Sequence, residues 1–155
     1  MEKLATLTPA ETFLLMEDGK ADLRDLLKFT FMDLLLKKVL VVKDVKIQSN
    51  TRDKIRLVKY VQGGVNFTAY KEQIHESVFL SLFRKSKPIR VDFRGVIRIG
   101  CQNALNEKEY VKTKLQMTPA LAGCFDFTFF TLLFRRPRLT PKGLALKSAI
   151  NQELK

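Results

Sequence analysis

Arg94, Arg98 and Gln102 recur at intervals of four residues, the spacing that lines side chains along one face of an α-helix. These residue types can read base edges, since Arg bonds guanine bidentately in the major groove and Gln does the same for adenine. Just upstream, Arg84, Lys85, Lys87 and Arg90 suit phosphate contacts, which supply affinity without sequence information. A second basic group, Arg135, Arg136 and Arg138 with Lys142 and Lys147, has no acidic residue between positions 135 and 147. The plainer account of the 94/98/102 row is a solvated polar helix face, which is common in surface helices.

Other chemistry finds little footing. The single histidine, His75, stands beside Glu72 and Glu76 and is expected on the polar side of an amphipathic helix, in solvent. No Gly-rich phosphate loop, metal-ligand spacing or nucleophile motif occurs. Catalysis, cofactors and metals are therefore not expected. Cys101 and Cys124 sit in apolar surroundings without metal spacing and read as buried, reduced thiols of a cytoplasmic protein.

The chain has 155 residues, is 46% apolar and carries a formal charge of +12. That apolar content suits a folded globule rather than a disordered tail. The charge is unevenly placed: residues 1–68 hold 12 Lys and Arg against 9 Asp and Glu, residues 69–155 hold 16 against 7. The second half thus carries most of the field, a balance that favours polyanionic partners. The longest apolar run, 124–134, is interrupted by Asp126 and is well short of the roughly 20 residues of a membrane-spanning helix. The first residues do not resemble a signal peptide.

These residues need elements to hold them. Thr8-Pro9-Ala10-Glu11 is a capping box with Pro at the first helical position, which predicts a helix through Met16 that ends at Asp18-Gly19. Leu23, Leu26 and Leu27 begin a stripe that runs without Gly or Pro to Lys38, either one helix or two, with Thr30 and Asp33 able to cap a second start. Phe29, Phe31, Met32, Leu34, Leu35 and Leu36 make its end apolar nearly all round, so burial against the other half is expected. Val45 and Ile47 then alternate with charged residues as a strand, 49–53 turns, and Ile55, Leu57 and Val61 return on one side. Gly63-Gly64 closes the unit as a turn.

The second half reads as a degenerate copy. Ile74, Val78, Phe79 and Leu82 give a helix over 71–83 an apolar face. The odd positions of 89–100 are apolar, as in a strand. Ile97, Cys101, Ala104 and Leu105 fall at helical spacing, and favour a helix over 96–106. Thr118-Pro119-Ala120 predicts another helix start, leading into Phe125, Phe127, Phe129, Phe130 and Phe134, a segment expected in the core or at a subunit interface.

Two resemblances add to this. The order helix, helix, helix, strand, turn, strand over 7–61 resembles a winged-helix module, and 105–111 is similar to the passage from a recognition helix into the first wing strand. Leu139-Thr140-Pro141-Lys142-Gly143-Leu144-Ala145-Leu146 resembles the segment entering the final helix of MarR-like winged-helix regulators. That resemblance implies duplex DNA as partner and a homodimer joined through C-terminal helices, with Leu146, Ala149, Ile150 and Leu154 as the contact stripe. In those regulators the wing precedes this motif, whereas a Phe-rich segment precedes it here. Leu7-Thr8, Glu11 and Leu14-Leu15 resemble the opening of the Golgi phosphoprotein family, which binds phosphoinositide headgroups.

The expected fold is mainly α with small β wings, an α+β arrangement of tandem winged-helix-like units sharing one core: 1–66, a degenerate 67–117, and C-terminal helices over 118–155 packing on both. The expected function is nucleic-acid binding, with a transcriptional regulator in view. A protein-interaction module that has lost DNA contacts, and a peripheral binder of anionic membrane through 135–147, stand as alternatives. No integral membrane segment is expected.

Overall fold

The computed structural model of the chain describes residues 6–84, 89–126 and 137–155. Helix α1 (Pro9–Met16) starts at the reciprocal box expected from sequence: the Thr8 hydroxyl accepts from the Glu11 amide, and the Glu11 carboxylate accepts from the Thr8 amide at 2.7 Å. Helix α2 (Leu23–Leu36) is capped by Asp22, whose carboxylate accepts from the Arg24 amide at 2.7 Å. It is one unbroken helix. Thr30 does not cap a second start; its hydroxyl donates to the Leu26 carbonyl at 2.9 Å, while Asp33 pairs with Lys37 one turn on.

Strands β1 (Leu40–Ile47) and β2 (Arg56–Gly63) form an antiparallel hairpin, in register from Leu40 opposite Gly63 to Ile47 opposite Arg56. Val61 is buried, but Ile55 and Leu57 on the same side are exposed, because the hairpin reaches past the core that covers its base. A short strand β3 (Val91–Asp92) adds to the free edge of β2, with Val91 opposite Val61 and Asp92 opposite Tyr60. One sheet therefore takes strands from both halves of the chain.

The region expected as a helix over 71–83 divides into a 3-10 turn (Ile74–Glu76) and helix α3 (Ser77–Arg84). A 3-10 turn advances about three residues per turn rather than 3.6, so it resets the helical phase of the residues after it. Ile74 faces solvent, while His75 and Glu76 are fully buried, contrary to the solvated position expected for His75. Helix α4 (Phe93–Ala104) makes most of 89–100 helix rather than strand, beginning three residues before the expected start. Asp92 caps it by accepting from the Gly95 amide at 2.8 Å.

Two later expectations are corrected. Over 105–111 the chain forms no wing strand: the Asn106 side chain accepts from the Glu109 amide at 3.0 Å and restarts a helix, α5 (Glu107–Tyr110), which passes into a π-helical turn (Val111–Leu115). At 118–123 there is a series of turns instead of a helix, since the Thr118 hydroxyl donates backward to the Leu115 carbonyl at 2.8 Å rather than capping forward. Strands β4 (Phe125–Asp126) and β5 (Arg138–Leu139) then pair. Helix α6 (Pro141–Glu153) is capped by Thr140 with Pro at its first position. Phe127, Phe129, Phe130 and Phe134 lie outside the described residues.

One apolar core draws on both halves. Phe31 of α2 is its wedge, with ring centroids 5.2 Å from Phe79 of α3 and 5.7 Å from Phe93 of α4, pairs worth about 0.5–1.5 kcal/mol each beyond area burial. Helix α4 docks through Val96, Gly100 and Ala104. At Gly100 there is no room for a side chain, because a Cβ would clash with the edge of the Phe79 ring. Alanine in an exposed helix gains up to about 1 kcal/mol over glycine. At this position the sign is expected to reverse: Gly100→Ala should destabilise the fold by about 1–3 kcal/mol through overpacking, read as a lower denaturant midpoint at unchanged slope.

Candidate nucleic-acid interface

Helix α4 presents Arg94, Arg98 and Gln102 in one exposed row opposite its buried Val96, Gly100 and Ala104. Neither arginine forms an ion pair among the described residues. The row is matched by residues that sequence reasoning missed. Arg56 and Lys59 of β2 line a groove of about 560 Å³ together with Arg94, Asp92 and Phe93. The groove exists because β3 covers β2 only at Tyr60 and Val61, which leaves the outer half of that edge open beside the start of α4. The only clue to Arg56 and Lys59 was the basic, alternating second strand of the hairpin.

The charges in the groove differ in availability. Asp92 has one carboxylate oxygen engaged with the Gly95 amide. Lys59 meets Asp44 at 3.1 Å, but both are largely exposed, and such pairs are worth about 0–1 kcal/mol. Arg56 has no ion pair among the described residues.

The remaining predicted residues separate from this row. Arg90 lies 5.9 Å from the centroid of the Tyr60 ring and borders a different hollow with Gly64, Phe67 and Phe83. Arg84 is engaged within the chain: Nε donates to Glu72 at 3.0 Å, Nη2 donates to the Tyr70 carbonyl at 3.1 Å, and the guanidinium stacks over Phe67. Lys85, Lys87, Arg135 and Arg136 lie outside the described residues. Arg138 is exposed. Its neighbours in the second patch are engaged within the chain, with Lys142 donating at the surface to the Ala122 carbonyl and Lys147 donating to the Met16 carbonyl and Asp18, both at 2.7 Å. Of the stripe expected for dimer contact, Ile150 is fully buried and Leu146 packs on the same core, while Leu154 is exposed. No helix among the described residues is long and apolar enough to cross a membrane.

The strongly perturbed ionisable groups gather elsewhere, in a buried junction between α1, α2, the 3-10 turn and α5. The Thr8 hydroxyl donates to Glu11 at 2.9 Å. Its one proton is thereby committed, so His75 Nε2, 3.3 Å away, is the donor to Thr8 and Nδ1 is the bare nitrogen. Nδ1 has no partner. Burial holds the His75 pKa down, to about 4. Burial also raises Glu76, against the pull of the Gln73 amide and the Tyr70 hydroxyl that donate to it, and it raises Tyr70 to about 12. Lys37 loses by burial but is raised on balance by its contact with Asp33. The Tyr110 hydroxyl donates to the His75 carbonyl at 3.3 Å and meets the Thr30 hydroxyl at 3.0 Å. This network clamps helices together, and His75 is fully buried within it. Cys101, expected to be buried, is exposed, whereas Cys124 is buried as expected.

Comparison with models of known protein families, with curated proteins and with solved structures returned no match.

The buried junction predicts an acid limit to stability. His75 stays neutral in the folded chain down to about pH 4, whereas the unfolded chain takes up that proton below about 6.5. Stability is therefore lost as pH falls through this window, by about 3 kcal/mol from this group. Glu76, with its raised carboxyl, acts in the opposite sense and offsets part of the loss. Urea unfolding at pH 7 and at about pH 4.5, inside that window, should show a clearly smaller pH decrement in His75→Gln than in the parent.

Proposed function

We propose that this chain binds nucleic acid, with duplex DNA as the partner, across the row Arg94, Arg98 and Gln102 of α4 and the neighbouring edge of the β1–β2 hairpin. The observation that carries the proposal is the groove shared by Arg94, Arg56 and Lys59, beside an exposed arginine row without carboxylate partners among the described residues. In this scheme α4 enters the major groove, where Arg98 and Gln102 reach base edges. Arg94, Arg56 and Lys59 contact the backbone phosphates on one flank. The hairpin serves as a wing, supplied by the first half of the chain to a helix of the second. The uneven charge, concentrated after residue 68, supports the same orientation by steering a polyanion toward that half.

Fluorescence anisotropy on a random-sequence duplex tests it. Binding is expected to weaken linearly in log–log form as salt rises, with a slope of about −0.9 for each phosphate contacted. Arg94→Ala with Arg56→Ala should reduce the magnitude of that slope by about 2 on the same principle. Absence of binding at low salt, or a double variant with the parent's affinity and slope, would remove the proposal.

A further inference from the structure

A second concavity lies on the other flank of α4, between it and α2, with a volume of about 570 Å³. That is within the ~300–1,000 Å³ range of small-molecule sites. Its construction comes from helix periodicity. Leu27, Phe31 and Leu35 of α2 recur every four residues and, with Phe79 of α3, make the floor. Phe93, Ile97 and Cys101 do the same along α4 and make one wall. The other wall is the row Arg24, Lys28 and Met32, again four apart, so its charge is confined to the N-terminal end of α2 and its far end is apolar.

The lining is thus almost wholly apolar, with two exposed cations at one end. Neither Arg24 nor Lys28 has a carboxylate partner among the described residues. Asp22 also borders that end, but its carboxylate is engaged as the α2 cap, accepting from the Arg24 amide. An apolar furrow with cations at one end is complementary to one kind of molecule. It fits an apolar chain that ends in a single negative charge.

We infer that the furrow between α2 and α4 is a binding site for a free aliphatic carboxylate, its chain lying over Phe31 toward Met32 and Phe93 and its head group held by Arg24 and Lys28. This site shares only α4 with the proposed nucleic-acid surface, and it stands or falls independently of that surface. A neutral chain of the same length would occupy the furrow without using the cations.

The protein carries its own reporter. Cys101 lines the furrow and is exposed, while Cys124 is buried and its thiolate is disfavoured by burial. The rate of Cys101 labelling by a fluorescent maleimide is measured on the full chain with increasing decanoate, held below its micelle concentration, and Cys101→Ser identifies the labelled thiol. Saturable protection of at least tenfold is expected. Arg24→Ala with Lys28→Ala should raise the decanoate concentration for half-protection tenfold or more, while protection by decanol is unchanged. Both side chains are exposed, so circular dichroism of this variant should match the parent. Met32→Trp, at the exposed apolar rim, should block protection by both ligands. Arg94→Ala with Arg98→Ala should leave protection intact, which separates this site from the basic row. The inference is overturned if decanoate gives no protection, if the Arg24/Lys28 variant is protected as well as the parent, if loss of Arg94 and Arg98 abolishes protection, or if only anionic vesicles protect.

Discussion

The close approach of α4 to α3 at Gly100 is the contact on which the orientation of both faces of α4 depends. Because the Phe79 ring occupies the space where a side chain at position 100 would stand, the rotation of α4 about its own axis is set by shape rather than by polarity. Phe31 then packs against both Phe79 and Phe93, which locks α2 into the same arrangement. With α4 turned this way, its row at 94, 98 and 102 points into solvent and its row at 93, 97 and 101 faces α2 across a furrow. A rotation of one residue position, about 100°, would put arginine against the furrow and a phenylalanine in water.

The ionisable groups sort into two populations with different physics. Those on α4 and the hairpin are solvated and act at low cost through the summed field. Those at the base of α2 are desolvated and survive because nearly every one has a partner: Glu76 accepts from Gln73 and Tyr70, Thr8 and Glu11 cap each other, and Tyr110 reaches the His75 carbonyl. His75 Nδ1, without a hydrogen-bond partner among the described residues, is the weak point of that arrangement, since a proton there would be neither solvated nor paired. Polar bonding joins α1, α2 and α5 on one side of α2, and aromatic packing joins α2, α3 and α4 on the other.

Helix α4 therefore borders two surfaces of opposite character. Its groove with β2 is lined mainly by cations and is open, whereas its furrow with α2 is apolar with charge at one end. The sheet contributes to the first only because β3 is two residues long and leaves the outer part of β2 uncovered.

Much of this was determined by the sequence itself wherever the deciding interaction is local. The capping box at Thr8 and Glu11, the turn at 49–53 that joins β1 to β2 and the helical character of 96–104 all depend on residues within a few positions of one another, and all are present. The exposed row Arg94, Arg98 and Gln102 was legible for the same reason. Tertiary structure decided the rest. His75 was expected in water on a helix face, but it lies in a 3-10 turn ahead of α3, outside the helix whose periodicity placed it, and is fully buried. Cys101 was expected to be buried because apolar periodicity counts side chains, yet α4 docks through a glycine that has none, and the buried stripe moved round to Val96, Gly100 and Ala104. The pairing of Arg94 with Arg56 and Lys59 joins residues more than thirty positions apart. Only the packing of both halves into one core brings them together, because no local propensity encodes the distance between a helix and a strand so far apart in the chain.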